Sequence, residues 1–262
     1  MKIQTIIDHL NTRVPLRNQE EWDNSGFLVG DPSQELTRAL VALDLKMEVI
    51  DEAIAKGCNL IVTHHPILRN GLKQITPATE EGRKVMKLIQ HGICHYAAHT
   101  SLDNHPEGVS AILARKLGLE ECRILAPVEV EGCIVGGGMI GRLPHPMPLD
   151  EFIEKAKAVL GIPCIRTSQL STLNSPLSRV AVCGGSGAFL IGKAKAQGAD
   201  IYMTGDLKYH DFQQAEGDIV LAEIGHYESE QFAQELLLAL LSELAIPAQK
   251  AETRGGFIYY HT

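Results

Sequence analysis

Short apolar blocks alternate with amphipathic stretches along most of this chain. Residues 38–43 (Arg-Ala-Leu-Val-Ala-Leu) and 59–63 (Asn-Leu-Ile-Val-Thr) are brief apolar runs that read as buried strands. Between them, residues 48–56 predict a helix closed by Gly57. The rhythm continues with a helix near 79–91, a strand over 92–98 and a helix from about 107 to 117. Such alternation predicts a largely parallel sheet covered by helices on both faces.

Around Ala126-Pro127 the composition shifts. Gly136-Gly137-Gly138 and Pro144-His145-Pro146-Met147-Pro148 predict turns and an irregular connection. A second α/β unit then follows, with a helix over 149–160 and a strand near 162–166. Beyond it come a strand over 179–182, a helix around 189–197 and strands over 200–203 and 219–222. The expected fold class is therefore α/β, as two α/β domains with mixed, largely parallel sheets flanked by helices. The first covers residues 1–126 and the second 127–226. The halves share a βα rhythm but not residues, so no repeat is expected.

At 262 residues the chain can bury a sizeable core, and 45% hydrophobic with 21% charged residues is ordinary for a globular protein. A net charge of −8 without a basic stripe argues against direct nucleic-acid binding and against anionic membranes. The first residues, Met1-Lys2-Ile3-Gln4-Thr5-Ile6-Ile7-Asp8-His9, hold no uninterrupted apolar core, and the longest strongly apolar run, 236–241, is too short to span a bilayer. Cys58, Cys94, Cys122, Cys133, Cys164 and Cys183 form no Cys-x-x-Cys pair, which favours reduced thiols over disulfides or a zinc ribbon. The expected location is cytoplasmic.

Candidate chemistry gathers at strand ends. His64 and His65 follow the run 59–63, and Pro66 stops the ladder because it has no N–H to donate. Successive strand side chains point opposite ways, so an adjacent pair serves two neighbouring ions better than one. One capping and one solvated histidine is the competing account. His99-Thr100-Ser101-Leu102-Asp103 follows the strand over 92–98, and Gly225-His226-Tyr227-Glu228-Ser229-Glu230 opens a helix after the strand over 219–222. His226 and Glu230, four apart, share a helical face. Taken singly, Asp103 reads as a turn or cap residue and Glu230 as a first-turn acid. Together, His64, His65, Asp103, His226 and Glu230 at three strand ends point to a metal site.

The chain also resembles the NGG-interacting-factor-three-like family of dinuclear-metal proteins, whose members carry the name GTP cyclohydrolase 1 type 2 homolog. The resemblance rests on Glu21-Trp22-Asp23-Asn24-Ser25-Gly26, Thr63-His64-His65-Pro66, His99-Thr100-Ser101-Leu102-Asp103 and Cys183-Gly184-Gly185-Ser186-Gly187. It extends through Thr204-Gly205-Asp206 with His210, and Gly225-His226-Tyr227 with Ser229-Glu230. Two places depart from the family's pattern: Ser110 stands where an Asn is expected, and Leu45-Lys46 follows Asp44 where a Thr is common. The resemblance implies that His64, Asp103 and Glu230 hold one metal, and that His65, His226 and the bridging Glu230 hold the other. Because those ligands come from both halves, the chain is expected to cross back, with residues from about 227 to 262 completing the first domain. The site is then expected in the inter-domain cleft.

Three protein donors per ion leave positions for water, the pattern of catalysis rather than structure. Two ions can share a hydroxide and polarise the atom it attacks, which supports hydrolysis. The family name implies opening of the guanine ring of GTP by metal-bound hydroxide. A metal-dependent phosphoesterase or amidase, and a metal-binding regulatory or scaffold protein without turnover, are the other readings. The cofactors are expected to be two divalent ions, with Zn, Mn, Fe and Ni equally suited to mixed His and carboxylate ligands. The partners are expected to be a small-molecule substrate, with a nucleotide among the candidates, and further copies of the chain; the resemblance implies a toroidal homohexamer. His99 is either a proton shuttle or a core histidine. Asp206 and His210 are either partners behind the ligands or, for Asp206, a helix cap. The segment Cys183–Gly187 is either a tight turn or a phosphate cradle.

Overall fold

A computed structural model describes residues 1–69, 71–168, 176–215, 217–253 and 255–261. The chain begins with α1 (Ile3–Arg13), β1 (Gly26–Val29), β2 (Ala39–Ala42), α2 (Met47–Ala55), β3 (Leu60–Thr63), α3 (Glu80–Gln90), β4 (Cys94–Ala97) and α4 (Thr100–Asp103). It continues with α5 (Val109–Lys116), β5 (Glu120–Val130), β6 (Cys133–Met147), α6 (Leu149–Leu160), β7 (Arg166–Thr167), β8 (Leu177–Ser186), α7 (Ile191–Ala196) and β9 (Ile201–Gly205). Last come α8 (Tyr209–Gln213), β10 (Val220–Glu223), α9 (His226–Glu230), α10 (Ala233–Ser242) and β11 (Ala248–Lys250). The fold is α/β, with two mixed, largely parallel sheets flanked by helices.

Two compact units divide the chain. The first comprises Met1–Leu102 and Ala233–Phe257, the second Asp103–Phe232 and Ile258–Thr262. In the first unit the sheet order is β1-β4-β3-β2-β11; β4, β3, β2 and β11 run parallel and β1 antiparallel. Every residue of β2, β3 and β4 is buried, because helices cover both faces and leave no solvated side to alternate toward. α1 buries Ile3, Ile6, Ile7 and Leu10, one helical stripe. Thr79 caps the N-terminus of α3, its hydroxyl accepting from the Gly82 N–H at 3.0 Å.

In the second unit the order is β5-β6-β8-β9-β10-β7. β8, β9 and β10 are parallel and form the centre, while β6 and β7 run antiparallel to their neighbours. Leu125, Ile140, Ala181, Ile191, Ala194 and Tyr202 build one side of its core.

The expected turns in the Gly- and Pro-rich stretch are instead part of β6, a strand of 15 residues. The glycines let β5 come close: at Gly136 (φ +141°) a Cβ would lie 2.0 Å from the Ala126 carbonyl oxygen. The prolines act locally. Pairing of β6 with β8 is irregular between Arg142 and Met147, where Pro144 and Pro146 have no N–H to give. The strand expected near 162–166 reduces to β7, and the helix expected near 189–197 splits into a 3₁₀ turn, Ala188–Leu190, followed by α7. All six cysteines are thiols, three of them buried. Among the described residues, no helix is long and apolar enough to cross a membrane.

One partly buried carboxylate ties the returning chain to the first unit. Glu52 of α2 accepts hydrogen bonds from the N–H groups of Glu252 and Thr253 at 2.8 and 2.9 Å, from the Thr253 hydroxyl at 2.6 Å and from Lys56 at 2.7 Å. Burial opposes its ionisation, yet these bonds outweigh burial and bring its pKa from 4.5 to about 2. A carboxylate depressed in the folded state stabilises fully above its unfolded pKa, and that stability fades as pH falls from about 4.5 toward 2. Glu52→Gln is expected to cost roughly 1–3 kcal/mol at neutral pH. Its denaturant-unfolding stability should also lose the part of the acid dependence that lies in this window. An unchanged acid limb would exclude Glu52 as the tie.

Candidate metal centre

In the first unit the carboxyl ends of three parallel strands deliver the candidate imidazoles. Ala42, Thr63 and Ala97 stand in one register row across β2, β3 and β4. Asp44, His65 and His99 each lie two residues beyond that row, and His64 one. His64 and His65 therefore project from the end of β3, with ring centroids 4.9 Å apart, and His99 lies 5.4 Å from each. The ligand-capable atoms of these three histidines fall within 4.8 Å of one another.

Each imidazole is oriented through Nδ1. His64 Nδ1 meets the Ala98 carbonyl oxygen at 2.9 Å. A carbonyl only accepts, so Nδ1 carries the proton and Nε2 bears the lone pair. His65 Nδ1 donates to Asp44 at 2.8 Å and His99 Nδ1 to Asp23 at 2.7 Å, which assigns the same tautomer to both neutral rings.

Asp23 is a hub. Its second oxygen accepts from the Thr100 N–H at 3.0 Å, the Thr100 hydroxyl at 2.6 Å and the Ser25 hydroxyl at 2.9 Å. Burial opposes its charge, but the bonds from His99 and Thr100 hold the carboxyl far below the usual carboxylate range. Burial pushes His99 down, and Asp23 offsets part of that shift. Trp22 covers His99 edge-on at 5.9 Å while remaining 63% exposed. His95, beneath the row, is fully buried against the Thr63 hydroxyl at 2.8 Å, and burial lowers its pKa to about 3. It is a neutral core histidine.

The second unit repeats the design at the carboxyl ends of β8, β9 and β10. α9 carries His226 and Glu230 one turn apart, with Nε2 and Oε2 separated by 3.1 Å. His226 Nδ1 donates to Asp206 at 2.7 Å. Asp206 lies just past β9 at φ +58° and so acts as the partner behind His226 rather than as a helix cap. Glu230 is buried against the glycine turn: at Gly185 (φ +64°) a Cβ would lie 2.1 Å from Glu230 Oε1. Asp103, at the end of α4, and Glu230 both add negative potential around Cys183. Burial first, then the Asp103 charge and further the Glu230 charge, push that thiol up to about 12.

This packing decides between the two readings of Cys183–Gly187. The Gly184 N–H donates to the Ser110 hydroxyl at 3.2 Å and the Gly185 N–H to the Ser229 hydroxyl at 2.9 Å. The Gly185 carbonyl accepts from Thr204 at 2.9 Å. These groups fasten β8 to α5, β9 and α9, so the turn supports Glu230 rather than cradling a phosphate. His210 lies on the exposed helix α8, its Nδ1 3.2 Å from Gln213 Oε1.

Sequence reasoning missed Asp44 and Asp23 as orienting groups. Asp44 had a signal, since it ends a predicted strand on the same edge as His64 and His65. Asp23 had none, because only the fold brings it to His99.

Residues 1–254 match the family model Duf34/NIF3 (NGG1p interacting factor 3). The chain belongs to the Duf34/NIF3 family. A relative from Clostridium perfringens, named GTP cyclohydrolase 1 type 2 homolog, is 37% identical over 235 residues, covering 88% of this chain and 87% of the relative. A Streptomyces coelicolor protein of the same name is 34% identical over 248 residues, 93% of this chain and 87% of its own. The crystal structure of Staphylococcus aureus protein SA1388 superposes with a TM-score of 0.90 at 30% identity, covering 100% of this chain and 99% of that one. A Bacillus cereus protein related to NIF3 has the same fold, with a TM-score of 0.88 at 24% identity over 99% of both chains.

Gly185→Ala puts a Cβ into Glu230 and forces a left-handed backbone on alanine. It is expected to destabilise the protein by roughly 1–3 kcal/mol. Thermal melting checks this; an unchanged midpoint would show that Glu230 moves aside without cost.

Proposed function

We propose that this Duf34/NIF3 chain is a dinuclear metal-dependent hydrolase. His64, Asp103 and Glu230 would hold one ion, and His65, His226 and a bridging Glu230 the other. The observation that carries the reading is the Nδ1 anchoring: His64, His65 and His226 each donate Nδ1–H to a carbonyl or carboxylate. That is the tautomer in which Nε2 is a ligand, and a backing carboxylate raises its basicity. Imidazole nitrogen with carboxylate oxygen fits divalent Zn, Mn, Fe or Ni.

When bound, a pair of such ions supplies Lewis acidity and lowers the pKa of coordinated water toward neutrality. The protein's part is to orient and to handle protons. Asp23, held ionised, fixes the His99 ring with Nε2 facing His64 and His65, while burial keeps that imidazole neutral and so able to accept a proton transiently. The names of the relatives direct the substrate reading to GTP, with opening of the guanine ring and release of formate. A closed ring of six chains accompanies this reading, and light scattering that finds a monomer would remove it.

Elemental analysis after reconstitution is expected to find two ions per chain; one at most, even with excess Zn²⁺ or Mn²⁺, rules out the dinuclear assignment. Glu230→Gln removes the shared charge and should weaken both sites together, whereas His65→Ala or His226→Ala should empty mainly one. Metal content and ligand-dependent melting read the difference. If Glu230→Gln keeps two ions and its melting point, Glu230 is only a helix-terminal acid.

For substrate, the metal-loaded protein is expected to release formate from GTP, and a chelator to abolish it. Formate no higher than in a ligand variant, at confirmed metal occupancy of the native protein, would remove GTP and leave the metal assignment standing.

A further inference from the structure

On the β5-β6-β8 side of the second unit's sheet lies a cavity of about 310 Å³, lined by Glu121, Arg123, Ile140, Gly141, Arg142 and Arg179. Strand register puts the three arginines on one face. Arg142 of β6 stands directly opposite Arg179 of β8. Arg123 of β5 stands opposite Ile140, two residues along β6 from Arg142. Side chains two apart on a strand share a face, and so do those directly opposed across a pair. Ile140 belongs to the core beneath α7, so the arginines continue that face past the end of the core.

The local backbone is shaped to hold them there. The pairing of β5 with β6 slips between Glu120 and Arg123, leaving Glu121 at φ +49°. A bulge of this kind re-aims the side chains beside it. Gly141 allows the slip: a Cβ there would lie 2.6 Å from Cys122 Sγ and 2.8 Å from the Glu120 carbonyl oxygen. Arg179 is anchored, donating from Nη1 to the Gln197 carbonyl at the end of α7 at 2.8 Å, while its backbone N–H donates to Asp200 at 2.7 Å.

Like charges directly opposed across an antiparallel pair destabilise a sheet. The lining offers one carboxylate against three guanidinium groups, Glu121, 3.3 Å from Arg142 Nε, and Glu120 stands opposite Arg142 at the edge of the same face. An excess of positive charge therefore gathers in one concave spot of a chain whose net charge is −8. This is a local device, not part of a general basic surface. Guanidinium forks match the oxygens of a phosphoryl group in pairs. A phosphate monoester carries about −1.5 to −2 near neutral pH and presents three acceptor oxygens, more of each than a single carboxylate offers to three guanidinium forks.

We propose that this cavity is an anion site for a phosphoryl group, borne either by free phosphate or by a nucleotide. It is separate from the candidate metal centre and does not rest on that reading.

The test titrates the full chain with inorganic pyrophosphate by calorimetry. His64→Ala/His65→Ala/His226→Ala, which removes every imidazole of the candidate metal set, serves as the background, so that pyrophosphate held by a metal ion there does not report. Saturable binding is expected. Arg142→Gln should weaken it by about tenfold or more, the loss of one charge-assisted pair. Arg142→Lys should rescue it only in part, because lysine has no fork. Arg123→Gln, also on an exposed residue, keeps the test open if Arg142 variants misfold, with melting as the check on fold. GMP binding more tightly than phosphate would identify a nucleotide as the source, and equal affinity would identify free phosphate; both support a phosphoryl site. Absence of saturable pyrophosphate binding, unchanged affinity in the folded Arg123→Gln/Arg142→Gln double variant, or equally tight binding of succinate would overturn the proposal.

Discussion

The Nδ1–H bond from an imidazole to an oxygen held by the fold is the constraint on which the candidate centre depends, because it sets both the tautomer and the direction of the ring. Ala98 and Asp44 hold His64 and His65, Asp23 holds His99, and Asp206 holds His226. A free imidazole exchanges its proton between two nitrogens and turns about χ2. One strong acceptor behind Nδ1 ends that ambiguity and leaves Nε2 to face the chemistry. The acceptors are themselves fixed. Asp23 accepts from Ser25 and Thr100 as well as His99. Ala98 is tied to β3 through its own N–H, which donates to the Thr63 carbonyl at 3.0 Å.

Parallel strands explain why acceptors and histidines meet. A parallel sheet aligns the carboxyl ends of strands that are far apart in sequence, and the residues just past those ends point the same way. In the first unit this brings residues 44, 64, 65 and 99 to one edge. In the second it brings the Gly184-Gly185 turn, Asp206 and His226 to another. There, glycine does what no other residue could. Gly185 occupies a left-handed conformation and leaves the space that the Glu230 carboxylate fills.

The antiparallel margin of the second unit follows different rules. β5 and β6 form a long, partly exposed ribbon whose glycines permit close approach and whose prolines interrupt pairing with β8. Its slip in register turns residues that look unremarkable in sequence into a concentrated set of guanidinium groups. Charge that is diluted along the chain becomes local only when strands are laid side by side.

The sequence by itself determined many of the elements and the candidate donors. Apolar runs and helix-closing signals located β2, β3, β4, α2, α3 and α6, since burial periodicity and capping are local properties. Histidines and acids at strand ends, with the family motifs, single out His64, His65, Asp103, His226 and Glu230 as candidates. Tertiary structure decided what lies behind and between them. Asp23 is 76 residues from His99, and Arg142 is 37 from Arg179, so no local pattern links either pair. Likewise Gly136-Gly137-Gly138 carries the composition of a turn, and only the approach of β5 makes it part of a strand. Local propensity acts over a turn or a few strand residues. Register and cross-strand contact are set by packing of the whole unit, and the anchoring of the imidazoles is settled there.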